Sequence, residues 1–348
     1  MDHPHQRRGS SARHHVQPLH PGSADRRRRG RPQDPRRPRR QRQRGVRPAG
    51  RRRQGQPALH QQRCLNDPSC PAPGRSLLTA TSRTVKAARR LTGRSHRARE
   101  RQFLAEGPQA VREALAHRTA HPTGGRSSVV EVFATPDSEQ RHPGLVAAAA
   151  AAGVPWHPVP EQVLETLAQT VTPQGVVAVC CFLDQPLETV LPPGARLAAL
   201  CANVRDPGNA GAVIRCADAA GADAVVLAGT SVDPYNGKCV RASAGSLFHL
   251  PLAVGPSVEQ TVDAAHAAGL TVLATDGNGD VDLFEAERSG LLSQPVGWLF
   301  GNEAWGLPAE LAALADHVVR VPILGRAESL NLAAAAAVCL YASARVQE

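Results

Sequence analysis

The sequence predicts an α/β protein with a parallel sheet in its C-terminal half. From residue 103 onward, strand-like apolar runs alternate with helix-like segments. Several of these runs, such as those within ALCANV, ADAVVLAG and VGWLF, contain four or more consecutive residues without a polar side chain. Strands without polar alternation are typical of a parallel sheet that helices cover on both faces. Ligands of such sheets bind outside the carboxyl ends of the strands, so polar segments that directly follow a strand are the candidate sites.

The first 75 residues differ from the rest in composition and charge. They contain 20 Arg and no Lys against four Asp, a net charge of +16, and no Ile, Phe, Trp or Tyr. The remaining residues carry a net charge of −5, so the tail accounts for all of the chain's formal +11. With so few large apolar side chains, this segment cannot build a core. We expect residues 1–80 to be either a disordered basic arm that binds RNA phosphates or the product of a start codon assigned too far upstream.

Next comes a basic helix that begins near Thr81. Val85, Ala88 and Leu91 have helical spacing and form its apolar face. We expect the basic residues of this segment to be exposed, so that they could contact a phosphate backbone, although a run of charge is more often only a solvated face. These residues are Arg83, Lys86, Arg89, Arg90, Arg94, Arg97, Arg99 and Arg101.

Two globular parts follow the helix start. Alternating strand and helix patterns over residues 103–182 predict a small α/β domain, which together with the basic helix spans residues 81–185. The Pro- and Gly-rich segment 186–195 predicts a linker. The alternation restarts at Arg196, and residues 196–348 form the predicted parallel-sheet domain.

Composition also limits compartment and metal content. No apolar run approaches the roughly 20 residues of a membrane-spanning helix, and the Arg-rich start lacks the apolar stretch of a secretory signal. The eight cysteines form no C-x-x-C pair, so we expect reduced structural thiols and no metal site. These features predict a cytoplasmic protein that does not contact membranes.

The first segment that suggests chemistry is LAALCANVRDPGNAGAVIRCADAAG. A strand runs into polar residues that include Asn209, and a helix follows. A dinucleotide-binding loop needs G-x-G-x-x-G, and this segment offers only Gly208 and Gly211, which argues against nicotinamide binding. Arg215 stands out because most other residues of this helix are small and apolar. The alternative interpretation is a structural ion pair of Arg215 with Asp206 or Asp218.

The second segment is VGWLFGNEAWGLPAEL, in which a buried strand ends at Gly301. A glycine there permits a ligand to approach the backbone closely. Glu303 follows, and its alternative role is to cap the helix that begins near Pro308.

The third segment is VVRVPILGRAESLNLAAAAAVCLYASARV, where a strand and a turn lead into a long Ala-rich helix. We expect this helix to run from Leu330 to Arg345. Ser329 and Asn331 lie at its start, where free N–H groups attract ligand oxygens. Ordinary capping by Ser329 is the alternative interpretation, and it leaves Asn331 unexplained.

In this order, the three segments resemble the signature of the SpoU/TrmH family of SPOUT methyltransferases. The intervening KCVRASAGSLFHLP, with Ser243 and Gly245, is also similar to the family. Residues 103–182 resemble the ribosomal-protein-like substrate-binding domain of many members, which opens with a segment similar to FLAEGPQAVREAL. The resemblance covers residues 82 to 345.

The resemblance implies a trefoil-knotted parallel-sheet domain that binds S-adenosylmethionine and forms a homodimer through this C-terminal domain. It implies methyl transfer to a ribose 2′-hydroxyl of RNA, with 23S ribosomal RNA favoured over transfer RNA. Two other classes stay open: a catalytically silent RNA-binding protein, and a nucleotide-dependent α/β enzyme, for which no phosphate-cradling glycine loop is present.

The family's functional positions carry over to named residues of this sequence. The positions implied to hold the cofactor are Gly301, Val321 and Leu330. Those implied to be catalytic are Asn209, Arg215, Glu303, Ser329 and Asn331. Because arginine is normally protonated, we expect Arg215 to orient the hydroxyl and stabilise the developing alkoxide, with general-base action as the less favoured role.

Overall fold

The computed structural model describes residues 77–120 and 128–348, all of which belong to one compact unit. The predicted basic arm or mis-assigned start therefore lies outside the described residues, except for residues 77–80. These four precede the expected start at Thr81 and already join the fold, because the Leu78 main-chain N–H donates to the Pro158 carbonyl at 3.0 Å. Leu78 also packs against buried apolar side chains.

The first part of the described chain contains a four-stranded mixed sheet. Its strand order is β1-β4-β2-β3, with β1 and β2 antiparallel to β4 and β3 parallel to β2. The strands are β1 Gln102–Glu106, β2 Val129–Ala134, β3 Trp156–Pro158 and β4 Val176–Cys181. The helices are α1 Arg83–Arg90, α2 Arg94–Glu100, α3 Pro108–Ala120, α4 Pro136–Arg141, α5 Pro143–Ala151, α6 Glu161–Leu167 and α7 Leu187–Val190.

The second part contains a seven-stranded sheet in which every paired strand is parallel, in the order β7-β6-β5-β10-β8-β11-β9. The strands are β5 Leu197–Ala202, β6 Ala224–Ala228, β7 Leu252–Val254, β8 Thr271–Thr275, β9 Val281–Asp282, β10 Val296–Phe300 and β11 His317–Arg320. The helices are α8 Pro207–Ala219, α9 Gly237–Ala242, α10 Val258–Ala267, α11 Leu283–Arg288, α12 Ala309–Ala312 and α13 Leu332–Gln347.

The α/β prediction and the parallel sheet are confirmed. Strands β5, β6 and β10 are buried at every position, because helices cover both faces of the sheet. Helix α8 lies unusually close to α9: a Cβ atom at Gly211 would collide with the Cys239 carbonyl and the Ala242 side chain. Within the described residues, no helix combines the length and the apolar character needed to cross a bilayer.

The segment 186–195, predicted to be a linker, contains the short helix α7. Val190 and Leu191 are buried in the apolar layer on one face of the large sheet. The prolines and the glycine therefore lie on either side of a short packed helix, and burial of its end fixes this segment on the sheet.

The predicted basic helix is two helices, and one of its arginines is not exposed. Val85, Ala88 and Leu91 are buried as expected. The prediction for Arg97 was wrong: this side chain is buried and forms an ion pair with Asp233 at 2.7 Å. The other seven basic residues of that set are exposed.

Aromatic packing joins the two sheets. Tyr235 stacks on Phe182 with ring centroids 3.8 Å apart, and Phe103 lies 4.8 Å from Tyr235. The Tyr235 hydroxyl donates to Asp184 at 2.7 Å and accepts the Leu183 and Asp184 main-chain N–H groups. Burial and the nearby Asp184 carboxylate raise the pKa of Tyr235, so its hydroxyl stays protonated as a donor. This joint fixes the small sheet relative to the large one.

Five of the described cysteines are free thiols, as expected: Cys180, Cys201, Cys216, Cys239 and Cys339. All of these but Cys216 are buried. Burial raises the pKa of the Cys201 thiol to about 12, which keeps it protonated and unreactive. Cys64 and Cys70 lie outside the described residues. No cluster of metal-ligating side chains occurs among the residues that the structure describes.

Candidate active site

The carboxyl ends of β5 and β10 bring the first two candidate segments together. These strands are parallel neighbours, with Phe300 opposite Cys201. Just beyond them, the Asn302 amide donates to the Asn203 carbonyl at 2.7 Å. The segments are about a hundred residues apart in sequence and meet here because adjacent parallel strands end at the same sheet edge.

Glu303 holds the turn between β5 and α8. Its carboxylate accepts the main-chain N–H of Arg205 at 3.0 Å and that of Asp206 at 2.9 Å. It also accepts the Asn209 amide at 3.2 Å. The alternative role as a cap of α12 is not observed, because Pro308 occupies that cap position without a side-chain hydrogen bond.

The hydrogen bonds to Glu303 determine its charge. Partial burial raises the pKa of this carboxyl, but the N–H donors of Arg205, Asp206 and Asn209 outweigh that effect, so the pKa lies below its ordinary value. Glu303 is therefore ionised at neutral pH and is a poor proton acceptor. Its chemistry suits positioning rather than general-base catalysis.

Asn209 links the second segment to the third. While its amide nitrogen donates to Glu303, its carbonyl oxygen accepts the Asn331 amide at 3.0 Å. Three polar side chains from three distant segments thus form one chain of hydrogen bonds, Glu303–Asn209–Asn331.

Asn331 is also the cap of the C-terminal helix. Helix α13 begins at Leu332, two residues later than predicted, and the Asn331 side-chain oxygen accepts the Ala333 N–H at 2.9 Å. The alternative of capping by Ser329 is therefore wrong. Capping fixes the Asn331 carbonyl oxygen and leaves its amide nitrogen pointing at Asn209, so the helix start orients the cluster.

Arg215 lies two turns further along α8 than Asn209. Its side chain is exposed and makes no ion pair or hydrogen bond with any described residue. The alternative ion pairs are absent, since Asp206 pairs with Lys238 and Asp218 pairs with His249. The neighbouring Cys216 thiol lies 3.9 Å from the Ala333 carbonyl, which places this turn of α8 against the start of α13.

Of the residues implied to hold the cofactor, Val321 and Leu330 lie in the open loop between β11 and α13, and Gly301 directly follows β10. Gly301 is buried, Val321 is half-buried and Leu330 is exposed, as is Ser329. Gly301 is required for a different reason from the one expected, because a Cβ atom there would collide with the chain's own backbone at Gly306.

This loop has the properties of a ligand-binding surface. Among the described residues, the main-chain groups of 323–330 make no hydrogen bonds with one another or with the rest of the fold. The apolar side chains of Ile323, Leu324 and Leu330 are exposed. Free N–H and C=O groups beside apolar side chains fit a cofactor such as S-adenosylmethionine, which carries an adenine ring and polar hydroxyl, amino and carboxylate groups.

Two features of the site were not predicted. Asn203 has a positive φ of 58° and accepts the Thr230 N–H and hydroxyl, which ties the end of β5 to the loop after β6. An Asn directly after a strand is the sequence signal for this conformation. Trp305 lies in the turn closed by paired hydrogen bonds between Asn302 and Gly306, with 60% of its surface exposed. An exposed tryptophan beside a polar cluster is a signal for ligand contact.

Family models match both parts of the chain. Residues 196–341 match the model of the SpoU rRNA Methylase family, and residues 82–178 match the model of the MRM3-like substrate binding domain. The chain is 34% identical over 263 residues to the 23S rRNA (guanosine(2553)-2'-O)-methyltransferase RlmP of Bacillus subtilis (strain 168). That alignment covers 76% of this chain and 96% of that protein.

Solved structures of methyltransferases resemble this chain over most of its described length. The AdoMet-bound rRNA methyltransferase from Sinorhizobium meliloti superposes with a TM-score of 0.64 at 37% identity, covering 77% of this chain and 97% of that one. The SpoU methyltransferase AviRb from Streptomyces viridochromogenes, in complex with AdoMet, gives 0.64 at 31% identity, covering 76% and 97%. The chain therefore belongs to the SpoU rRNA methylase family, whose members use S-adenosylmethionine.

Proposed function

We propose that this protein transfers a methyl group from S-adenosylmethionine to a ribose 2′-hydroxyl of RNA, with 23S ribosomal RNA as the substrate. The observation that carries the proposal is the hydrogen-bonded chain Glu303–Asn209–Asn331. It joins three segments at one sheet edge, next to a loop whose main-chain groups are free.

The reaction is an in-line displacement. When bound, S-adenosylmethionine supplies an electrophilic methyl group on a sulfonium sulfur, and this sulfur becomes the neutral thioether of the leaving group. The ribose oxygen would take this methyl group in exchange for its own hydroxyl proton, which would pass to solvent. No metal is needed, so the protein's task is to align the acceptor oxygen with the donor methyl and to stabilise developing negative charge.

Arg215 is the residue proposed to meet the acceptor. Its guanidinium is exposed and has no acidic partner in the described structure, so it is available to a phosphate or an alkoxide. In this role Arg215 orients the hydroxyl and the adjacent phosphate. Asn209 and Asn331 align the ribose, and Glu303 holds Asn209 in place. Ser329 braces the exposed loop.

The donor group is proposed to contact Gly301, Val321 and Leu330. The support comes from the free main-chain groups of 323–330 and the exposed apolar side chains beside them. Backbone contacts suit an enzyme that must bind a charged donor without placing a second nucleophile near its methyl group.

Ribosomal RNA is favoured because RlmP of Bacillus subtilis, which aligns along three quarters of this chain, acts on 23S rRNA by its name. Transfer RNA is the alternative substrate. A substrate on the ribosome also implies a cytoplasmic enzyme.

We further propose a functional division into a tail over 1–80, an RNA-binding part over 81–185, a connection over 186–195 and a methyltransferase part over 196–348. The two family matches fall within these limits. The trefoil knot of the last part belongs to the proposal. The family resemblance implies this knot, and in the sheet β10 and β11 lie on either side of β8.

A homodimer through the C-terminal domain is part of the same proposal. Val338 and Tyr341 of α13 and Phe284 of α11 are exposed around a cavity of about 690 Å³. Apolar side chains grouped on one face are typical of a surface that another subunit covers.

The test is the pair Arg215→Ala and Arg288→Ala. Arg288 is a matched control, because it is also exposed on a helix and has no partner among the described residues. We expect Arg215→Ala to bind S-adenosylmethionine normally in calorimetry while methyl incorporation into RNA falls at least about a hundredfold. Arg288→Ala should retain both.

Mapping of 2′-O-methylation on total RNA, with and without the gene, identifies the substrate. Loss of one 23S position supports the proposal, and loss of a transfer RNA position selects the alternative. Failure of the wild-type protein to bind S-adenosylmethionine would favour a silent RNA-binding protein or a nucleotide-dependent enzyme. Turnover of Arg215→Ala within a few-fold of wild type would refute the role of Arg215.

A further inference from the structure

A second cavity, of about 670 Å³, lies beside the candidate active site and has no role in the methyl transfer described above. It lies between the start of α2 and the loops that follow β6 and β7. We call it the α2 cavity. Its lining residues are Arg94, Arg97, Arg205, Gly229, Thr230, Ser231, Val232, Asp233, Asn236, Val254 and Gly255.

The α2 cavity carries positive charge that no described residue neutralises. Of its three arginines, only Arg97 has an acidic partner, the single lining carboxylate Asp233. Arg94 is exposed and forms no ion pair or hydrogen bond with any described residue. Arg205 donates to the Thr230 hydroxyl at 2.9 Å and has no acidic partner in the same part of the chain. A concave surface with two uncompensated arginines attracts an anion.

The buried Arg97–Asp233 pair gives the cavity a fixed wall. Arg97 donates twice to Asp233, at 3.1 and 2.7 Å, and also to the Leu91 and Thr92 carbonyls. With these donors satisfied, Arg97 holds α2 against the loop after β6. Arg94, three residues earlier on the same helix, is therefore held at the mouth of the cavity.

Arg205 connects the α2 cavity to the catalytic cluster. Its main-chain N–H donates to Glu303, while its side chain lies on Thr230 in the cavity wall. A polymer with a ribose near Asn209 can therefore place a neighbouring nucleotide in the cavity without leaving the surface. The Asn236 side-chain amide nitrogen, which donates to no described residue, suits a sugar or base edge.

We propose that the α2 cavity binds the RNA segment adjacent to the methylated nucleotide, with Arg94 and Arg205 on its phosphates. This inference rests on the proposed function, since the occupant is the same RNA whose ribose is methylated. It assigns α2 a specific contact with the RNA strand, whereas a general basic face would attract RNA without a defined contact.

The experiment compares Arg94→Glu with Arg83→Glu in the full chain. Both arginines are the first residue of a short helix, exposed and without a partner in the described structure. Glutamate is favourable in a first helical turn, so both variants should fold. Binding to a 23S rRNA fragment that wild-type enzyme methylates, and kcat and KM for that fragment, are measured at several salt concentrations.

We expect Arg94→Glu to weaken RNA binding about tenfold or more and to raise KM for RNA correspondingly, because a charged hydrogen bond to phosphate is lost. The slope of log K against log salt should fall by about 0.7 for the lost contact with single-stranded RNA. The kcat at saturating RNA and the Kd for S-adenosylmethionine should not change. Arg94→Lys, which keeps the charge, should restore most of the binding.

Equal effects of Arg94→Glu and Arg83→Glu would overturn the inference and leave only a general basic face. A loss of kcat without a change in KM would also overturn it, since the cavity would then act on chemistry. If wild-type enzyme methylates no RNA, the proposed function itself fails, so the two failures are distinguishable.

Discussion

Glu303→Gln tests whether the carboxylate that ties β10 to α8 organises the site. Glu303 accepts three N–H groups, and glutamine replaces one acceptor oxygen with a donor that faces another donor. A hydrogen bond to a charged group contributes about 1.5–3 kcal/mol when shielded from solvent. Because Glu303 is largely exposed, we expect a net loss of only about 1–2 kcal/mol. In a domain of this size that lowers Tm by about 2–8 °C.

The pH dependence of this loss follows from the lowered pKa of Glu303. The ionised carboxylate stabilises the native state fully above its ordinary pKa of 4.5, and this contribution disappears as the pH falls through the lower folded value. The difference in Tm between wild type and Glu303→Gln should therefore be largest near neutral pH and should shrink below about pH 4.5. Asp206 and Asp316 also have lowered pKa values, but both proteins contain them, so they cancel in the difference.

Thermal unfolding at neutral and acid pH measures the effect, with Glu310→Gln as control. Glu310 is an exposed glutamate on α12 with no side-chain hydrogen bond among the described residues, so its variant should unfold like wild type. Methyl transfer by Glu303→Gln should fall because Asn209 loses its anchor. Identical Tm values for wild type and Glu303→Gln at neutral pH would refute the reasoning.

Two further predictions follow from the same contacts. Asn331→Ala removes the cap of α13 and should lower the folding stability by about 1 kcal/mol, whereas Asn331→Asp retains a good cap and near-normal stability. Both variants should lose methyl transfer, because neither side chain donates a hydrogen bond to Asn209. An active Asn331→Asp enzyme would contradict this prediction. His249 bonds to Asp218 and Glu113, and although burial lowers its pKa, these carboxylates raise it more. The contribution of His249 to stability is therefore complete below its ordinary pKa of 6.5 and is lost as the pH rises through the folded value. The Tm difference between wild type and His249→Asn should shrink between pH 6 and pH 9. A Tm difference that stays constant over this range would contradict the prediction.

The sheet could be predicted because its signal is local. Runs such as Leu197–Ala202 and Ala224–Ala228 are apolar at every position, which is sufficient to indicate strands buried on both faces. Sheet order is a different matter. That β10 inserts between β5 and β8 depends on the path of the chain in space, and periodicity carries no information about it.

Errors at the level of side chains have a similar cause. Arg97 belongs to a run of basic residues and was expected to be exposed, but its partner Asp233 lies 136 residues away. Gly301 was interpreted as space for a ligand, although the backbone at Gly306 occupies that space. In both cases a distant segment decides the role of the residue, and a single sequence does not show which segment arrives.

The candidate site separates residues that the protein has already satisfied from residues that it leaves open. Glu303, Asn209 and Asn331 hydrogen-bond to one another or to main-chain groups without any ligand, so they cost no reorganisation when RNA binds. Arg215 and the main-chain groups of 323–330 have no such partners in the described structure. Hydrogen-bonding capacity that the fold does not use is what a substrate and a cofactor can use. Substitutions in the first set should therefore alter geometry and stability together, whereas substitution of Arg215 should reduce turnover without changing Tm.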